Sequence, residues 1–121
     1  GISSAASDVY KRQIIYYICS VNEKFIKLAS KTLNDIFEKF NNYDSAIEID
    51  FVENNVTIET DNGKVFVISI HEPTSQIWLS SPISGAHHFI YNGNEKKNWI
   101  STRDESIEIF SILKKEIDSE I

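Results

Sequence analysis

The residues best placed to do chemistry in this sequence are acidic. Between Asp44 and Asn62 the chain carries Asp44, Glu48, Asp50, Glu53, Glu59 and Asp61 and no Lys or Arg. Ile47, Ile49 and Phe51, then Val56 and Ile58, alternate with polar residues. The apolar set fixes the buried face, so Glu48, Asp50 and Glu59 share the outer one near a sheet edge. Carboxylates this close repel, and a hard cation relieves the repulsion by direct oxygen ligation. Iron, manganese, calcium and magnesium all suit such donors. From spacing alone, the same residues fit better a solvated acidic edge that keeps strands of separate molecules apart.

Trp78 is the second anomaly. In Gln76-Ile77-Trp78-Leu79-Ser80, Ile77 and Leu79 are the natural core pair, which turns Gln76, Trp78 and Ser80 towards solvent. A large aromatic on a wet sheet is an anchor for a protein partner, or else a ring covered by a loop or by the N-terminal segment. If Phe66, Ile68 and Ile70 face inward, Ser69 and His71 face out; if Phe89 faces inward, so does His88 outward. Together they make an uncharged, hydrogen-bonding platform around Trp78. His87 and His88 are adjacent on a strand and point to opposite faces, so they cannot chelate together; the three histidines read as surface imidazoles. Cys19 has no evident base beside it. There is no glycine-rich phosphate loop, no Gly-x-Ser-x-Gly elbow and no His-Glu-x-x-His pair.

The elements that position these residues follow from hydrophobic period. Residues 1–20 read as a leader or presequence remnant, with Ile14 to Cys19 open between strand, helix and targeting segment. A helix is predicted to start after Ser20, whose hydroxyl with Glu23 makes a capping box. Val21, Phe25, Leu28, Ala29, Leu33, Ile36, Phe37 and Phe40 then recur at three and four, and Asn41–Asn42 ends the helix. From Ala46 the period is two: a hairpin turning at Asn54–Asn55, a strand Lys64 to Ile70, then Gln76 to Ser81, His87 to Tyr91 and Asn98 to Ser101. A second helix begins between Thr102 and Ser106, its buried stripe Ile107, Phe110, Leu113, Ile117 and Ile121. The fold class is α+β, a two-layer sandwich with the N- and C-terminal helices on one face of a mainly antiparallel sheet. Residues 21–121 form that single domain.

Composition agrees. The chain has 121 residues, 12 Lys plus Arg against 18 Asp plus Glu, and a net charge of −6. The acidic balance argues against nucleic acid, which needs a clustered basic surface, and no apolar run approaches the ~20 residues of a membrane span. A single cysteine rules out an internal disulfide framework and a Cys-rich zinc site, and is compatible with a reducing compartment.

Gln76-Ile-Trp-Leu-Ser-Ser-Pro-Ile-Ser-Gly85, followed by Phe89 and by Asn98-Trp99-Ile100, resembles the signature of the frataxin family, in its mitochondrial and rickettsial rather than its enterobacterial form. The resemblance covers Ser20 to the C-terminus and agrees with the order helix, strand meander, helix. It implies an iron-binding accessory protein of iron–sulfur cluster assembly that docks on a cysteine desulfurase and its scaffold protein and modulates sulfur transfer and iron delivery. It implies iron (Fe2+ or Fe3+) held weakly along Asp35, Glu38, Asp44, Glu48 and Asp50, with Glu59 added by the hairpin pattern. Partner contact falls to Trp78, Gln76, Ser69, Ser80 and His88. A mitochondrial matrix address, or a bacterial cytoplasmic one, and a monomer that iron can drive to oligomerise are further implications. Two departures stand out. Residues 21–43 hold three acids against four lysines, with Ser30 and Lys31 where relatives usually carry carboxylates; Ser69 stands where Asn is usual, and His88 where eukaryotic members often have Arg. The alternatives are a ferroxidase that oxidises Fe(II) and stores the product, for which the lysine-rich helix is poorly suited, and an interaction module without metal.

Overall fold

The computed structural model describes residues 4–94 and 97–121. Helix α1 (Ser4–Phe40) leads into strands β1 (Ile47–Val52), β2 (Asn55–Thr60), β3 (Val65–His71), β4 (Gln76–Ser81), β5 (Gly85–Asn94) and β6 (Lys97–Ser101), and helix α2 (Ile109–Asp118) closes the chain. All six strands pair antiparallel in sequence order. This is the predicted α+β sandwich.

The core lies between helices and sheet. Phe25, Ala29, Leu33, Ile36 and Phe40 of α1 and Ile109, Leu113 and Ile117 of α2 meet Val56, Ile58, Phe66, Ile68, Ile77, Leu79, Phe89 and Trp99, all buried. The helix stripe and the strand alternation thus converge on one apolar layer. Asn42 adopts φ 63° just beyond α1, the left-handed conformation that ends a helix.

Four local expectations are corrected. The capping box does not form: Ser20 lies inside α1, and the run Ile14–Cys19 is helical. No Gly or Pro occurs between residues 2 and 62, and Ser costs a helix interior only a few tenths of a kcal/mol, so nothing stops the helix extending N-terminally. The Cys19 side chain falls outside the described ones. Val9, Tyr10, Ile14, Ile15, Tyr16, Tyr17 and Val21 stay exposed on this extension.

Helix α2 starts later than predicted, at Ile109. The backbone before it is occupied: Ser101 N donates to Ile107 O at 2.9 Å, and Ile100 bridges Glu108. Asp104 organises the turn by accepting from Ser106 N and Oγ, which holds its carboxyl below the usual range. Glu108 then caps the helix, accepting from Phe110 N and Ser111 N at 3.0 Å each. Ile121, expected in the stripe, is exposed because α2 ends at Asp118.

His87 is not a surface imidazole. Alternation in β5 sends it to the helix side with Phe89, where it is 1% exposed. Its Nε2 lies 2.8 Å from Ser84 Oγ and 3.3 Å from Arg103 Nη1. Ser84 Oγ and Ser81 Oγ both donate to Oε1 of buried Glu116, at 2.9 and 2.8 Å. Desolvation holds the His87 imidazole below its ordinary pKa; the Arg103 guanidinium pushes the same way and Glu116 opposes.

Candidate functional site: the open sheet face

The sheet has one face without helices, and the register sets its rows. Asn55 pairs Ser69, Ser69 pairs Trp78, and Trp78 pairs His88, so these four share one row across β2 to β5. Ile77 and Leu79, at 0% and 1% exposure, fill the helix side. Trp78 is therefore on the open face, as alternation requires.

The ring is partly buried there by its neighbours. His71 from β3 stacks on the indole at 3.7 Å between centroids and 15° between planes; His88 from β5 stacks at 4.5 Å and 14°. The two histidines come from the strands flanking β4, so the indole is sandwiched. Trp78 Nε1 donates to Gln76 Oε1 at 2.8 Å, which satisfies the one polar atom of the ring. Thr74 Oγ1 lies 3.1 Å from the same Gln76 oxygen and 2.7 Å from His71 Nδ1.

Ser80 is exposed in the next row, opposite Val67 and Ala86. On the other side Ile90 pairs Ile100; Ile90 is 40% exposed, so the face around Trp78 is more apolar than its serines and histidines suggest. Phe89 inward implies Ile90 outward, and that signal was available in the sequence. Thr74 was not signalled, because its contacts depend on the turn Glu72–Thr74 between β3 and β4.

The acidic edge lies on the same sheet, at β1 and β2. Glu48 and Glu59 are direct cross-strand partners, both exposed, and Asp50 opposes Thr57. Asp44, Glu48 and Asp50 line a shallow cavity of about 570 Å³ with Asn41, Asn42 and Ser45. These are hard oxygen donors of the kind Fe(II) accepts. Asp44 also turns back to accept from Ala46 N at 2.8 Å.

Asp35 and Glu38 stand apart from this group on α1. Lys31 Nζ pairs with Asp35 Oδ2 at 2.7 Å, and Asn34 donates to Glu38 Oε1 at 3.3 Å. The hydrogen bond and charge of Asp35 raise the Lys31 pKa. Among the described residues, no three His, Cys, Asp or Glu side chains converge as a metal-holding group, and no described helix is long and apolar enough to cross a membrane.

The frataxin-like domain family model matches residues 20–121. A mitochondrial frataxin of Arabidopsis thaliana is 29% identical over 102 residues, covering 80% of this chain and 54% of its own length. The chain spans about half the length of the curated relatives it matches. Among solved structures, a frataxin of Psychromonas ingrahamii aligns with a TM-score of 0.68 and 28% identity, covering 79% of this chain and 87% of that one. The trimeric frataxin of Saccharomyces cerevisiae complexed with ferrous iron aligns with a TM-score of 0.67 and 27% identity, covering 77% and 84%. With its signature strand β4 presenting Trp78 from a helix-backed six-stranded meander, this chain belongs to the frataxin family.

Proposed function

We propose that this chain is an iron-handling accessory protein of iron–sulfur cluster assembly, which docks through the open sheet face on a cysteine desulfurase and its scaffold protein and modulates sulfur transfer. Trp78 carries this reading. Its indole stands on the helix-free face, with its N–H satisfied and its flanks packed by His71 and His88. A rigid aromatic with few conformations left to lose is the kind of group that dominates protein interfaces. Gln76, Ser69, Ser80 and His88 supply its polar rim. A His at position 88 lacks the planar fork that an Arg would offer partner carboxylates, which lowers specificity for them.

Iron in this reading is cargo, held weakly at the acidic edge by Asp44, Glu48 and Asp50, with Glu59 adding charge. Asp35 and Glu38 contribute less, because Lys31 and Asn34 already engage them. The trimeric, ferrous-complexed yeast relative supports iron binding and assembly of copies, and the mitochondrial relative supports a mitochondrial location, the matrix in this reading.

The test is a reconstituted desulfurase–scaffold assay. Trp78→Ala is expected to weaken docking by about 30-fold or more, the scale of an interface hot spot, and to remove the effect on sulfide production. A variant as effective as the native chain overturns the docking reading.

A further inference from the structure

We infer that His71 is a positioning residue of the docking face, acting through Trp78: its ring and the Thr74–Gln76 relay hold the indole in a single pose before a partner arrives. The inference rests on the docking reading above and extends it to two residues that β4 does not contain.

The hydrogen-bond directions lead to His71. An indole N–H can only donate, so Gln76 Oε1 is the acceptor. Thr74 Oγ1 has one proton and spends it on the same oxygen. Its other hydrogen bond, 2.7 Å long, is with His71 Nδ1, and an imidazole carrying its proton on that nitrogen lets both bonds form at once. The chain His71 to Thr74 to Gln76 ties the imidazole, the hydroxyl and the amide to one another and to the indole N–H.

The turn that carries Thr74 is itself stiff. Pro73 sets its own φ, Ser75 N donates to Glu72 O at 3.0 Å, and Ser75 sits in the left-handed region at φ 52°. His71, at the end of β3, is thus tied to β4 by a ring stack and by a relay through the connecting turn. His88 closes the opposite side, directly across from Trp78 in register. An unsupported surface indole would lose rotamer freedom on docking; here that freedom is removed beforehand, and affinity rises by the cost avoided.

The experiment compares the full chain with His71→Ala, His71→Phe and Trp78→Ala. Calorimetry measures docking on the desulfurase–scaffold complex, and the two indole N–H resonances are followed in the free protein. His71→Ala should shift the Trp78 resonance and speed its hydrogen exchange, leave that of Trp99 in place, and weaken docking about fivefold, while His71→Phe, which restores a stacked ring, stays within about twofold. Native affinity in His71→Ala, or equal losses in the Ala and Phe variants, overturns the positioning role. If Trp78→Ala is weak while His71→Ala is native, only this inference fails; if Trp78→Ala docks normally, the docking reading fails with it. Should His71→Ala not fold, Thr74→Val cuts the relay and keeps the ring, and an unchanged Trp78 exchange rate in that variant overturns the inference.

Discussion

The two tryptophans lie on opposite faces of one sheet and are satisfied in similar ways. Trp99 Nε1 donates to Thr32 Oγ1 and Trp78 Nε1 to Gln76 Oε1, each at 2.8 Å. Each ring also has two ring neighbours: Phe25 and Tyr91 around Trp99, His71 and His88 around Trp78. The difference lies in where the neighbours come from. Phe25 and Thr32 belong to α1, so Trp99, 1% exposed, fastens a helix to the sheet. The partners of Trp78 all belong to its own strand, the adjoining strands or the turn between them. The first indole holds layers together; the second links only neighbouring strands of one sheet face and fastens no helix to it. An aromatic immobilised on the helix-free face without fastening a second layer leaves its outer edge available to another molecule.

That contrast is broken most directly by truncating each ring. Trp99→Ala should cost about 3–5 kcal/mol of unfolding free energy, as buried aromatic truncations do. Trp78→Ala should cost about 1 kcal/mol, the worth of its stacking contacts. Denaturant titrations of both variants read the difference, and equal losses would mean that the open face is structural.

How much of this was legible in the sequence depended on the range of the signal. Period-two alternation around Ile77 and Leu79 was enough to place Trp78, Gln76 and Ser80 on the open face, because that choice is local and binary. The Ser20–Glu23 pair was a local signal too, but a cap forms only if the preceding residues leave the helix, and they do not. The stack of His71 on Trp78 is diagonal across β3 and β4, since His71 pairs Gln76 and Ser69 pairs Trp78. Seeing it requires the register and the turn together. Asp35 and Glu38 were grouped with the hairpin acids by resemblance, yet they belong to α1 and already have their own partners at i−4. His87 was inward by alternation, but what makes a buried imidazole tolerable, Ser84, Ser101, Arg103 and Glu116, comes from separate segments.

His87 sharpens the comparison from the helix side. Its folded-state pKa lies below the ordinary 6.5, so below that pH the unfolded chain binds more protons than the folded one. Stability is then complete above pH 6.5 and is lost as pH falls from there through the folded value. Thermal midpoints measured from pH 7.5 down to 5 should decline more steeply for the native chain than for His87→Gln, whose amide carries no titrating charge. Docking at the open face should be the same for both at pH 7.5, since His87 faces the helices. Parallel slopes would remove His87 as the source.

The smallest effect is expected where the open face meets the acidic edge, and its sign is the informative part. Glu48 and Glu59 oppose each other across β1 and β2, and like charges in that position destabilise a strand pair by about 0.2–1 kcal/mol. Glu48→Gln relieves this repulsion, so the variant should melt slightly higher than the native chain at low salt, with the gain shrinking as salt screens the pair. The same change removes a hard oxygen charge from the group of Asp44, Glu48 and Asp50, so Fe(II) affinity should fall in an anaerobic calorimetric titration. The rise in stability tests the electrostatics of the bare edge, and the fall in affinity tests the cargo role. If the variant is more stable and binds Fe(II) as the native chain does, the carboxylates are steering charges for a basic partner, and the two regions of the open face then serve a single docking event.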